Sequence, residues 1–232
     1  MVAAALYHTA NGGVEHSERV VSIVRLMAHE SHPRFRVHHA LRIKGFVKVE
    51  NLAELSGLPE DEVLAHLREM QEQGHTNYRE ARELWQLTPD GREAYVLALQ
   101  IDVSRPGFRE GLAEKYHRFL EMNEAFKALC ADWQLRNGEP NDHSDAAYDA
   151  ACIKRLGALD DEAQPICHAF AEIATRFEGY AARLSGSRVA LEAGDQRMFT
   201  GVMCGSYHDV WMELHEDLIL TQGIDRVAEG SF

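Results

Sequence analysis

Apolar residues recur at helical spacing over most of this chain, and only a few short stretches alternate as strands do, so the pattern predicts a mainly α protein. Residues 14–30, VEHSERVVSIVRLMAHE, carry Val20, Val21, Ile23, Val24 and Met27 at that spacing. They predict an arm helix within residues 1–33. His32-Pro33 ends it, because proline pushes the preceding residue out of the α region. A second block, 34–105, reads helix, extended piece, two helices, two short strands, helix. RFRVHHALRIKGF is the first helix, stopping near Gly45, and VKVE is the extended piece. NLAELSGL is a short helix with Asn51 as N-cap and Gly57 as stop. Pro59 opens EDEVLAHLREMQEQG, with Val63, Leu64, Leu67 and Met70 inward and Gly74 as stop. TNYREA and ELWQL are strands around a tight turn, and Thr88 caps the closing helix, TPDGREAYVLAL.

From residue 106 the pattern is helical throughout. GFREGLAEKYHRFLEMNEAFKALCADW is a long amphipathic helix. QLRNGEPNDHSD follows as a polar break rich in turn formers. Helical spacing resumes from Asp145 to about Phe177, with Pro165 as a kink or boundary. GYAARLSGSRVALEAG is a further helix with a weak point at Ser185 to Ser187, and AGDQRMFTG connects it to the last helix, Tyr207 to Leu220. The order of elements over 34–105 resembles a winged helix-turn-helix. Five or so helices without strands over 106–232 predict a helical bundle. The expected fold is therefore mainly α: an arm helix (1–33), an N-terminal winged helix-turn-helix (34–105) and a C-terminal helical bundle (106–232).

Composition narrows the function classes. No run approaches the 18 or more apolar residues of a membrane span, and the first residues lack the basic and apolar regions of a signal peptide. A cytoplasmic protein with no membrane partner is expected. Cys130, Cys152, Cys167 and Cys204 fall in helical patterns without a C-x-x-C, which predicts buried free thiols. Net charge is −13, and residues 99–232 hold thirteen basic against twenty-three acidic residues, a poor footprint for nucleic acid. The second helix of the helix-turn-helix block carries Glu60, Asp61, Glu62, Glu69 and Glu72 against Arg68 alone. Arg79 and Arg82 near the turn have Glu80 and Glu83 beside them. Phosphate neutralisation by Lys and Arg dominates DNA affinity, so a winged helix used for protein docking fits these residues better.

Two stretches could carry chemistry. The last helix, YHDVWMELHEDLIL, places Tyr207, Trp211, Leu214 and Leu218 on one side. Asp209, Glu213, Glu216 and Asp217 lie along another, where like-charge pairs each cost roughly 0.2–0.5 kcal/mol. This face reads as a solvated acidic surface or as one wall of a site. His208 and His215 are about 10 Å apart by helical rise and cannot share a metal. Mg²⁺ on the carboxylates of Glu213 and Asp217 is the metal reading that remains. The second stretch is Asn141-Asp142-His143-Ser144-Asp145, with Tyr148 and Asp149 one turn on. It is turn and N-cap chemistry, or else a histidine–carboxylate pair for acid–base work. In the second reading His143 and His208 face one substrate as candidate catalytic groups with Asp142. Trp133, Tyr148, Phe199, Tyr207 and Trp211 supply aromatic walls, and His215 lies beside them. Each of these aromatics is equally suited to core packing. No G-x-x-x-x-G-K-[ST], G-x-G-x-x-G or G-x-S-x-G occurs, so any phosphoryl transfer needs ATP bound on another chain.

Four motifs together carry a resemblance: A-L-R-I-K-G-F, L-T-P-D-G-R, P-N-D-H-S-D-x-x-Y-D and S-Y-H-x-V-W-x-E-L-H-E-D-L, spanning about 38–223. They resemble actinobacterial-type proteins labelled winged-helix transcriptional regulators. They also resemble segments that accompany relatives of phosphoenolpyruvate synthase and pyruvate phosphate dikinase. The chain lacks the nucleotide-binding and phosphohistidine parts of such dikinases. The resemblance then implies an acceptor-binding small subunit that acts on a small aromatic, phenolic hydroxyl compound beside an ATP-binding large subunit. In it His143 or His208 would remove the hydroxyl proton and Asp142 would orient His143. A ligand-responsive regulator that binds operator DNA is the other class, and an adaptor without a small-molecule site is a third.

Overall fold

The computed structural model describes residues 28–225. The expected arm helix falls mostly on residues 1–27, outside the described residues. Among the described residues the chain is mainly helical, with nine α-helices and five very short strands.

Pro33 opens α1 (Pro33–Lys44), the His32 side chain accepts from the Arg34 amide, and Gly45 ends the helix at φ 75°. After β1 (Phe46–Val47) comes α2 (Val49–Ser56). Asn51 was expected to cap α2, but the helix starts two residues earlier with Lys48 at the cap position. Burial of Leu52 and the packing of Val49 against the same core set that start, and the side-chain cap is forgone. Gly57 closes α2 in the left-handed region, as its sequence position suggested. The remaining elements are α3 (Glu60–Glu72), β2 (Thr76–Arg79), one 3₁₀ turn at Glu80–Arg82, β3 (Leu84–Leu87) and α4 (Pro89–Asp102). The strands form an antiparallel sheet in the order β1-β3-β2, with Trp85 opposite both Val47 and Tyr78. The Thr88 hydroxyl accepts from the Gly91 amide and donates to the Gly74 carbonyl, tying the start of α4 to the end of α3. Val37, Leu41, Leu52, Val63, Leu67, Met70, Trp85 and Leu87 fill this core.

The second core starts with α5 (Phe108–Gln134). The polar break after it holds a hairpin that strand periodicity did not reveal, β4 (Leu135–Arg136) and β5 (Glu139–Pro140). Asn137 and Gly138, both at positive φ, supply its turn. The Asp145 carboxylate caps α6 (Ala146–Ala171) through the Ala147 and Tyr148 amides. Pro165 marks no boundary. The helix continues through it because Ala163, Ile166, Cys167 and Phe170 on both sides are buried in the core. A 3₁₀ turn at Thr175–Phe177 leads to α7 (Glu178–Glu192), then α8 (Arg197–Thr200) and α9 (Tyr207–Gln222). The Ser185 to Ser187 stretch does not break α7, and the Ser187 hydroxyl bonds to the carbonyls of Arg183 and Gly205. α5 packs along α6, α6 along α7, and α9 along α5 and α7. Cys130, Cys152 and Cys167 are buried free thiols, but Cys204 is exposed in the connection before α9. No described helix is long and apolar enough to cross a membrane.

Candidate functional site at the junction of the two cores

The Ser206 hydroxyl caps α9 by accepting from the Asp209 amide. The apolar stripe, Tyr207, Trp211, Leu214 and Leu218, is buried as its spacing requires. The acidic side departs from the expectation of a solvated face. Glu213 is 7% exposed and Asp217 2%. This side faces α1 and α7, and both helices supply cations. Glu213 meets Lys44 on one oxygen and accepts from Arg183 Nη2 at 2.6 Å on the other. Arg183 Nε donates to Glu54 at 3.0 Å. Arg42 pairs with Glu216 at 3.3 Å. The like-charge cost expected along α9 is thereby offset from neighbouring elements.

Asp217 lies deepest. Its Oδ1 accepts from His39 Nε2 at 2.8 Å, Thr221 Oγ1 at 3.0 Å and Arg176 Nε at 3.4 Å, and its Oδ2 accepts from the Tyr180 hydroxyl at 3.3 Å. The other ring nitrogen of His39 meets the Tyr95 hydroxyl at 2.8 Å. Arg176 also donates to Asp102 at 3.2 Å, and Asp102 accepts from His29 at 2.9 Å and Ser31 at 3.2 Å. Burial alone would raise the Asp217 carboxyl, but His39 and Arg176 outweigh it and hold the group down at about 2. One connected set of buried charges thus ties α1, α4, the 3₁₀ turn at Thr175–Phe177 and α9 together, and the Tyr180 hydroxyl joins α7 to it.

Above this network a groove of about 610 Å³ opens between the two cores. Phe46, Val47, Met203 and Met212 give it apolar walls; Lys44, Lys48, Arg183 and His208 give it polar ones. Phe46 and Met203 are exposed at its lips. Its cations are already countered, Lys44 and Arg183 by Glu213 and Lys48 by Glu83 at 3.6 Å. Asp209 and Glu216 add further negative charge to the lining. His208 is half-buried, and burial lowers its pKa below the usual histidine value although Asp209 pulls the other way. Burial thereby favours the neutral imidazole, the state a general base requires.

The second candidate stretch lies elsewhere. His143 has φ 56°, a turn held by its amide donating to Asn141 Oδ1 at 3.2 Å. Its ring packs on Trp133 with centroids 4.5 Å apart. Its carboxylate partner is Asp149, at 3.0 Å from Nδ1. Asp142, the expected partner, accepts instead from the Ser144 amide at 3.0 Å and hydroxyl at 2.7 Å. The correction is geometric: an Asx turn points Asp142 forward along the chain, while Asp149 comes back from the first turn of α6. The buried Asp149 carboxylate also accepts from Asn141 and Gln196.

His143 and His208 therefore occupy different surroundings. His143 sits against Trp133 and Asp149, whereas His208 lines the groove and lies 6.1 Å from the Phe126 ring. Tyr207 and Trp211 are buried in the core: the Tyr207 hydroxyl donates to Asp160 at 3.2 Å and Trp211 Nε1 to Asn123 at 2.9 Å. His215 is buried beside them, 3.1 Å from the Tyr116 hydroxyl. Trp133 is buried between His143 and Phe199, and the Tyr148 hydroxyl donates to the Asp132 carbonyl at 2.8 Å. Glu213 and Asp217, the expected Mg²⁺ ligands, have protein cations on their oxygens. Among the described residues no group of three or more His, Cys, Asp or Glu is arranged to hold a metal.

Sequence reasoning passed over Lys44, His39, Arg176 and Arg183, which make the junction. One signal for them was present. Two adjacent histidines, His38 and His39, stand on a helix whose neighbours Val37, Ala40 and Leu41 are apolar, and buried imidazoles need partners. No family model, curated protein or solved structure matches the chain.

Proposed function

We propose that residues 33–102 are a winged helix used for protein docking and that the helices from Phe108 onward are a helical bundle. We further propose that the groove between them is the acceptor site of a dikinase-like phosphotransferase, this chain being its small subunit. The observation that carries this reading is the groove itself. It joins apolar walls, charges that largely cancel and a neutral imidazole in one cleft of about 610 Å³, within the range of small-molecule sites. Such a cleft suits an uncharged ring compound better than an anion. In this reading Phe46, Met203 and Met212 hold the ring of a small phenol. His208 Nε2 or Nδ1 takes the hydroxyl proton as the phenol oxygen bonds to the phosphorus, while the bond from phosphorus to its donor group on the ATP-binding large subunit breaks and that donor leaves with the bonding pair. Lys44, Lys48 and Arg183 in the groove are already paired with the chain's own carboxylates, so the large subunit brings Mg²⁺ or an arginine with its nucleotide to stabilise the phosphoryl charge. The sequence reading offered His143 or His208 as base, and the groove favours His208.

The test is a calorimetric titration of the whole chain with simple phenols, repeated on Met212→Trp, which fills the groove. Saturable binding that Met212→Trp abolishes supports the reading, provided the variant melts as the wild type does. Binding unaffected by Met212→Trp, or no binding to any phenol, overturns it.

The regulator reading has one feature in its favour. Arg79 and Arg82 are exposed at the tip of the β2–β3 hairpin, and Arg68 is exposed on α3. Against it, Glu60, Asp61, Glu69, Glu72, Glu80 and Glu83 are exposed on the same two elements.

A further inference from the structure

A second cavity, about 600 Å³, adjoins the junction groove and shares Asn51, Glu54, Arg183, Met203 and Gly205 with it. Ala182, Gly186 and Ser187 of α7 and Met198 of α8 line the second cavity, whereas His208 lines the groove. Arg183 therefore stands where the two meet, with His208 on one side of it.

The guanidinium at this waist is paired along one edge. Nε donates to Glu54 at 3.0 Å and Nη2 to Glu213 at 2.6 Å. Nη1 is buried and has no hydrogen-bond partner among the described residues. The whole side chain is 10% exposed, so bulk solvent does not serve Nη1 either. A buried donor without an acceptor is costly, and a ligand that brings an acceptor to it relieves that cost. Met203 lines both cavities and is 80% exposed, so few neighbours hold its side chain in place where the cavities join.

Charge selects the kind of acceptor. Arg183 and Lys44 are matched by Glu54 and Glu213, so the waist has no net charge to offer an anion. Asp209 and Glu216 in the groove lining weigh further against one. A carbonyl or ether oxygen accepts from Nη1 without adding charge.

We propose that the acceptor site runs past Arg183 into the second cavity, and that Arg183 Nη1 donates to an uncharged oxygen on the ring substituent of the phenol. The inference rests on the acceptor-site reading and narrows its substrate class to phenols with a carbonyl or ether oxygen away from the reacting hydroxyl. Arg183 sets specificity here and takes no part in the chemistry. A compound without that oxygen leaves a buried donor unpaired, and sites of this kind reject such compounds.

Matched ligands test it by calorimetry on the wild-type full chain: 4-methoxyphenol against 4-ethylphenol, and 4-hydroxyacetophenone against 4-isopropylphenol. The members of each pair are close in shape. The alkyl member is the more apolar, so a merely apolar groove prefers it. The proposal expects the reverse, with the oxygen member binding about tenfold tighter. If both members bind and the alkyl compound is equal or tighter in either pair, the proposal falls and the acceptor site stands. No binding by any of the four, nor by phenol itself, overturns both. Arg183→Lys keeps a cation for Glu213 and lacks Nη1, so the preference should vanish; a preference that persists overturns the assignment to Arg183. Gly186→Leu fills the second cavity. A Cβ at Gly186 meets nothing within 4 Å, and leucine suits a helix better than glycine, so this variant should fold. It should weaken 4-hydroxyacetophenone relative to phenol by about tenfold. An unchanged ratio overturns the extension into the second cavity.

Discussion

Replacing Asp217 by Asn removes one negative charge and keeps the shape of the side chain. In the folded protein that charge faces His39 at 2.8 Å and Arg176 at 3.4 Å, all three residues being buried. Two magnitudes bear on the outcome. The carboxyl is held at about 2, against an ordinary value of 3.8, which corresponds to about 2 kcal/mol of stability. Removing one partner of a buried pair costs more, roughly 3–5 kcal/mol, because it strands the remaining charge. Here Asp102 still faces Arg176, so the lower part of that range is expected, about 3 kcal/mol. With a urea m-value of about 1–3 kcal/mol/M, the midpoint should fall by roughly 1–3 M. Tryptophan fluorescence is a suitable probe, since Trp85 reports the first core and Trp133 and Trp211 the second. Because the folded carboxyl lies below its unfolded value, its contribution is whole above pH 4 and is lost as pH falls from about 4 to about 2. The wild type should therefore converge on Asp217→Asn in that window. A loss below about 1 kcal/mol at pH 7, the size of an exposed pair, would refute the claim that this network holds the junction.

Two further outcomes follow from the same description. Burial lowers His38 to about 4, and its ring bonds to the Gly91 carbonyl at 2.8 Å. The neutral form is thus favoured on folding, so stability should decline as pH falls from about 6.5 to about 4, by up to about 3 kcal/mol, and His38→Gln should flatten that slope in urea titrations. The acidic surface of α3 predicts no salt-sensitive retardation of upstream DNA between about 50 and 200 mM salt; tight binding that weakens steeply over that range would return the regulator reading.

The sequence was legible where one local rule decides the outcome. Val63, Leu67 and Met70 face inward at helical spacing, and Thr88 and Gly57 punctuate their helices as their chemistry requires. Asn51 misled because burial of Leu52 set the start of α2. The β4–β5 hairpin has two residues per strand, too few for any alternation to register. The site was harder to read for a reason of distance along the chain. Asp217 is 178 residues from His39, and Glu213 is 169 from Lys44, so nothing near α9 indicates that its acidic face is buried. The like-charge spacing of Glu213 and Asp217 was the local clue, since two carboxylates one turn apart call for cations from elsewhere. Tyr207 and Trp211 posed the opposite problem. An aromatic stripe reads alike whether it meets a ligand or a core, and here it meets the core.

The central claim is that the junction groove, with His208 in its lining, takes a small aromatic hydroxyl compound. The most direct measurement is histidine-selective NMR of the whole chain during titration with phenol. The account predicts saturable shifts of the His208 ring signals, abolished in Met212→Trp, while the His143 signals stay in place. Shifts at His143 with His208 unmoved, or no shift at either ring, would contradict it.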